Sequence, residues 1–152
     1  MSGAIQDTYA DRFSHCYGCG KSNPAGHKLK SYLEGDKTLA RFTPSGEMTG
    51  GVPDNVYGGL IASLFDCHGA ASAAAFAARE MGVSLDHSEQ PVRFVTASLK
   101  VDYLRPTPIK TELLLTGKLR TIEGRKVWVD MTLEANGEIC AKAEMLAVRF
   151  RD

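Results

Sequence analysis

Asp66 is the one carboxylate in an otherwise apolar, small-residue stretch, YGGLIASLFDCHGAASAAAFAA, and the pair Gly58-Gly59 opens that stretch two turns earlier. An ionised carboxylate on a buried helix face carries a heavy desolvation cost unless partners offset it. Desolvation also strengthens a carboxylate as a base. Glycines at a helix start leave backbone N–H donors uncovered, at the end where the helix dipole favours negative charge. Together these residues suggest a base facing a site for a developing oxyanion. The ordinary alternatives are a structural aspartate paired with a lysine, and a glycine pair that admits a neighbouring strand.

Eight residues of helix separate Gly58 from Asp66, a span of about 12 Å. One helix therefore cannot offer both groups to one carbonyl. A second copy with its helix antiparallel could supply the missing half, so the spacing predicts a two-fold homodimer with two composite sites. His68 follows two residues after Asp66, about 200° around the helix, which points it away from the acid and toward a core or interface position. Asn55, just ahead of the helix, is placed either to bond a substrate carbonyl or to cap the helix, and the cap is the simpler role.

The elements that must position these groups are legible around them. A turn-rich head, HCYGCGKSNPAGH, precedes two strand-like runs, KLKSYLE and KTLARFT, joined through Gly35-Asp36 as a hairpin. A loop rich in Pro, Gly, Ser and Thr leads to the only long helix, from about Tyr57 to Met81, with Asp54 or Asn55 as its expected cap. From Pro91 the pattern switches to period two, placing Val95, Ala97, Leu99, Val101 and Tyr103 on one face and Thr96, Ser98, Lys100 and Asp102 on the other. Further strands are expected over Thr111 to Arg120, Lys126 to Glu134 and Ile139 to Phe150, separated by Glu123-Gly124 and the turn pair Asn136-Gly137. This order describes an α+β fold, an antiparallel sheet wrapped around one slim, alanine-rich helix whose larger residues, Leu60, Ile61, Leu64, Phe65 and Phe76, fill the remaining space.

Composition narrows the functional classes. A chain of 152 residues with 43% hydrophobic content fills one core, and 18 basic residues balance 18 acidic ones. Without a net field there is no general attraction to nucleic acid or an anionic membrane, so an anionic ligand must be held locally. The first residues show no secretory signal, and charges interrupt the longest apolar segment, arguing against a membrane span. Four cysteines suit thiols in a reducing, cytoplasmic setting. His15, Cys16, Cys19 and His27 include a Cys-x-x-Cys pair, but a lone pair without a second favours a small-residue turn packed on the sheet over a zinc site. No metal and no cofactor are expected.

YGGLIASLFD, followed about thirty residues later by VTASLKVDYLRPTP, resembles the signature of hotdog-fold acyl-CoA thioesterases of the PaaI-like group, within the 4-hydroxybenzoyl-CoA thioesterase superfamily. CYGCGKSNPAGHKLK is also similar to a head segment found in one branch of that group. The resemblance implies a single hotdog domain over residues 1–152, with 1–27 as its head. It further implies an acyl-CoA substrate, Asp66 as base or nucleophile, the Gly58 amide in the oxyanion hole, and assembly as a homodimer or as a homotetramer of two such dimers. Thr96 falls where the group has a residue orienting the carboxylate or the water. Alternation puts Thr96 on the polar face, so its reaching Asp66 requires a twist or bulge in its strand, or a partner subunit. Where many relatives have His-Gly-Gly this chain has Tyr57-Gly58-Gly59, which leaves open a non-catalytic acyl-CoA or metabolite binder. His68 is the only nearby histidine that could take a substrate contact. For the phosphates of coenzyme A the candidate cations are Arg105 at a strand end and Arg120, Arg125 and Lys126 around the Gly124 turn, each of which taken singly is an ordinary surface charge.

Overall fold

The computed structural model describes residues 3–85 and 92–151. Pro91, where the period changes, and the chain's first two residues lie outside them. After two short 3-10 turns, the chain forms β1 (Ser31–Glu34), β2 (Lys37–Phe42), α1 (Gly58–Met81), β3 (Phe94–Tyr103), β4 (Leu113–Glu123), β5 (Lys126–Ala135) and β6 (Glu138–Arg149). The six strands make one antiparallel sheet in the order β1-β2-β4-β5-β6-β3, and α1 packs against it. This is the hotdog arrangement the sequence resembles. The hairpin turns fall where the residues put them: Asn136 and Gly137 both take positive φ, as a two-residue primed turn requires, and Gly35 and Gly124 do the same in theirs.

Leu60, Ile61, Leu64, Phe65 and Phe76 are at most 2% exposed. Each such burial contributes about 1.5–3 kcal/mol. By length and apolar content α1 could cross a membrane, but most of its surface is spent against the sheet. Its C-terminus is closed by Gly82 in the left-handed conformation, whose N–H reaches the carbonyls of Ala78 and Arg79. The N-terminus differs from expectation. The cap position belongs to Tyr57, whose side chain makes no capping hydrogen bond, and neither Asp54 nor Asn55 reaches it. The chain is extended at Tyr57, so Asn55 lies too far back to bond the first helical amides.

A polar island sits between α1 and the β1-β2-β4 side of the sheet. Buried His68 bonds Ser31 Oγ through Nδ1 at 2.8 Å and Thr38 Oγ1 through Nε2 at 3.1 Å. Thr38 also meets Ser72 Oγ at 2.6 Å, and Gln6 from the head donates to Ser31 Oγ. Gly117 pairs with Thr38 across the ladder and leaves room for this network. A Cβ there would stand 2.4 Å from Thr38 Oγ1 and 2.9 Å from Ser72 Oγ. We therefore expect Gly117→Ala to cost about 1–3 kcal/mol, read as a lowered denaturant midpoint at unchanged m-value.

Strand β3 carries the feature that matters most for the site. Its register against β6 shifts between Thr96 and Ser98, so Ala97 is a bulge. Before the bulge Thr96 lies opposite buried Ala147, and after it Leu99 lies opposite buried Met145. Phe94 and Thr96 thus share the helix-facing side with Leu99, Val101 and Tyr103. This corrects the strict alternation expected from sequence, since Val95 turns outward and is 50% exposed. Strand β3 is also an edge of the sheet within one chain.

Candidate functional site

The bulge delivers Thr96 to the helix. Its hydroxyl donates to Asp66 Oδ1 at 2.6 Å and lies 4.0 Å from Met145 Sδ beneath. Asp66 is exposed within the single chain, as is Thr96. The expected desolvation by the acid's own helix is therefore absent, because Asp66 lies on the flank of α1 that meets edge strand β3 rather than under the sheet. What the sequence read as buried is a carboxylate at a protein edge, oriented by one hydroxyl and open to a ligand or a second chain.

The other half of the site lies at the start of α1. A cavity of about 330 Å³ is lined by Asn55, Val56, Gly58, Tyr103, Arg105 and Thr107 among others. Gly58 and Gly59 are exposed at the first two helical positions, whose amides precede any i−4 carbonyl of the helix, while the Leu60 amide already reaches the Tyr57 carbonyl at 3.2 Å. Tyr103, at the end of β3, donates its hydroxyl to the Gly58 carbonyl at 2.8 Å, and its ring lies so near that a Cβ on Gly58 would be 3.3 Å from the hydroxyl oxygen. Tyr57 folds its ring over Gly59, where a Cβ would meet it at 2.8 Å. Tyr103 and Thr107 are lining residues that the sequence reading did not assign. The signal for Tyr103 was its place at the end of an aromatic-terminated strand carrying Thr96 seven residues earlier.

The expected cations divide into two groups. Arg105 stands at the helix-start cavity and pairs with Glu138 at 2.7 Å. Arg125 donates to the Arg149 carbonyl at 2.7 Å, and Lys126 opens β5 opposite Val148. Both lie at the end of the sheet occupied by Thr96, whose row runs across Ala147 to Val127. Arg120 is placed elsewhere, and its assignment to substrate is corrected. It is the bulged residue of β4, paired with Asp130 and Glu144 on the outer face of the sheet, away from α1.

His68 is the second correction. Completely buried among Ser31, Thr38 and Ser72, it cannot touch a substrate, and burial pushes its pKa from 6.5 down to about 4, so the ring is neutral. The candidates thus form two clusters, Asp66 with Thr96 and Gly58 with Asn55, Tyr57, Gly59 and Arg105, separated along α1 by the distance its helical rise dictates.

Comparison with known proteins bears on this arrangement. The family model described as thioesterase superfamily matches residues 54–142, which include both clusters. The chain is similar to a thioesterase superfamily protein from Shewanella loihica PV-4, at 43% identity over 94% of this chain and all of that one, with a TM-score of 0.70. It is 28% identical to acyl-coenzyme A thioesterase THEM4 of Rattus norvegicus over 107 residues, 70% of this chain and 40% of that protein, so it spans well under half the length of that relative. In fold alone it resembles a Streptococcus mutans UA159 protein crystallised bound to acetyl CoA, at 17% identity, 80% coverage of this chain, 88% of that one and a TM-score of 0.62. A helix, a bulged strand and a glycine-opened amide cluster that fall together inside the matched segment leave one assignment: the chain belongs to the thioesterase superfamily.

Proposed function

We propose that the protein hydrolyses an acyl-CoA thioester to a free carboxylic acid and coenzyme A. The observation that carries this reading is the 2.6 Å bond from Thr96 to Asp66 at an exposed sheet edge, which holds one carboxylate oxygen and leaves the other available. Asp66 takes the proton of an attacking water, or attacks the carbonyl carbon itself. The thioester oxygen, gaining negative charge, is met by the amides that open α1 at Gly58, where the helix dipole adds to the hydrogen bonds. The chemistry of its relatives supports the substrate class: the rat relative is named an acyl-CoA thioesterase, and the Streptococcus mutans fold neighbour binds acetyl CoA.

The two clusters stand about 12 Å apart on one helix, so the proposal includes a two-fold dimer through the free edge of β3. Exposed Val95, Tyr103 and Leu104 lie along or beside that edge and suit burial against a second copy. In such a dimer Arg105 brackets the ligand from the amide end, while Arg125 and Lys126 bracket it from the carboxylate end. A cytoplasmic setting belongs to the same proposal, as does the reading of the whole chain as a single domain with an N-terminal head.

The test is thiol release from a panel of aliphatic and aryl acyl-CoA esters, together with subunit mixing. Asp66→Asn and Gly58→Val homodimers are each expected to be inactive, whereas refolded mixtures regain up to about one quarter of wild-type activity, since a quarter of random sites receive both intact halves. Absence of release from every ester would leave a binding role. Failure of the mixture to regain activity would overturn the composite site. Thr96→Val is expected to lower kcat roughly 10- to 100-fold with little change in KM, because the acid remains but loses its orientation.

A further inference from the structure

Three cysteines that the proposed chemistry does not use converge beside it. Cys16 and Cys19 come from the head turn and Cys67 from α1, one residue after Asp66, and their sulfur atoms all lie within 4.8 Å of one another. We propose that Cys16, Cys19 and Cys67 form a three-thiolate site for a zinc ion, with the fourth position open to water. The Cys16–Cys67 separation of 3.8 Å matches the edge of a tetrahedron whose metal–sulfur bonds are about 2.3 Å, which is about 3.8 Å.

The turn is shaped around the sulfurs. The Gly18 amide donates to Cys16 Sγ at 3.4 Å, the Cys19 amide also bonds that sulfur, and the Gly20 amide closes the turn on the Cys16 carbonyl at 2.7 Å. Gly18 is required by the third ligand, since a Cβ there would stand 2.3 Å from Cys67 Sγ. At Gly20 a Cβ would press to 2.4 Å on Cys16 N and the Ser14 carbonyl. The segment Cys-Tyr-Gly-Cys-Gly is thus a knuckle with amides aimed at one sulfur and a slot for a sulfur from 51 residues away.

A dication at the centre of three sulfurs this close offsets the charge that ionising all of them brings. A disulfide would use two of them and strand the third. The histidines singled out with this motif are not ligands here: His27 packs edge-on between Tyr17 and Phe42 at 5.0 and 5.6 Å, and His15 is exposed and outside the cluster. The sequence showed one Cys pair because the third ligand lies on the helix. The metal would fasten the head directly to the turn of α1 that carries Asp66.

The test uses the full chain expressed with zinc present. The expected result is one zinc per chain by elemental analysis, together with thiolate-to-metal charge-transfer absorption when cobalt(II) replaces zinc. Cys16, Cys19 and Cys67 should resist a thiol reagent until a strong chelator is added. Cys16→Ser, at an exposed position, should keep the wild-type circular dichroism and lose zinc affinity roughly 100-fold or more. Cys140→Ser, which alters a thiol outside the cluster, should retain the metal. Zinc bound no more tightly by wild type than by Cys16→Ser would overturn the proposal, as would a Cys16–Cys67 disulfide in freshly isolated protein. None of these readouts depends on thioester hydrolysis.

Discussion

Asp66→Asn is expected to lower kcat for acyl-CoA hydrolysis by about 10³-fold or more, a loss of about 4 kcal/mol of transition-state stabilisation, with KM changed only slightly. The substitution keeps the shape of the side chain and its acceptor oxygen, so the Thr96 hydroxyl can still donate across the 2.6 Å contact. What disappears is the negative charge and the capacity to take a proton or attack a carbon. The amides at the start of α1 are untouched, so residual polarisation of the thioester carbonyl persists. Steady-state thiol release under saturating acyl-CoA, with circular dichroism as the check on folding, measures it. Activity within tenfold of wild type would remove Asp66 from the reaction.

Stability should fall by about 3 kcal/mol as pH drops from about 6.5 to 4, owing to His68 alone. Burial lowers the folded-state pKa from 6.5 to about 4, and the ring's partners are the neutral hydroxyls of Ser31 and Thr38. In that window the unfolded chain binds a proton that the folded chain refuses, so the stabilisation is complete above 6.5, declines through the interval and levels below 4. The side chain points about 100° away from that of Cys67 on the helix, into the polar island rather than toward the cysteines. Denaturant unfolding at several pH values gives the slope. In His68→Gln, destabilised at neutral pH, the slope over the same interval should be smaller than that of wild type. A slope equal to that of wild type would assign the effect to other groups, such as Glu144, whose carboxyl Arg120 holds below its usual range.

Much of this architecture could be read from residue order because it rests on local rules. Asn136-Gly137 and Gly35 mark turns that demand positive φ, and the run from Gly58 to Met81 has the composition of a slim, enclosed helix. Asp66 and Gly58 were legible as a pair because their spacing on a helix is fixed by geometry, whatever surrounds it. The misses share a different origin. Val95 was placed inward by alternation, and one inserted residue at Ala97 reversed the parity. Arg120 was grouped with Arg125 and Lys126 by nearness in sequence, whereas the bulge in β4 and the carboxylates of β5 and β6 claim it for the outer face. His68 gave no sign of Ser31 and Thr38, which approach from strands thirty or more residues away. Tyr57 as the cap residue is likewise a tertiary outcome, fixed by the path of the preceding loop.

The insertion at Ala97 also has an evolutionary reading. Because a single added residue decides which side of the ribbon Thr96 occupies, descendants that lose one amino acid between Thr96 and Ser98 would preserve their ladder and their overall shape yet forfeit the acid's tether. Length variation at that one point, more than any side-chain exchange nearby, would mark where a lineage has abandoned the reaction while keeping the scaffold.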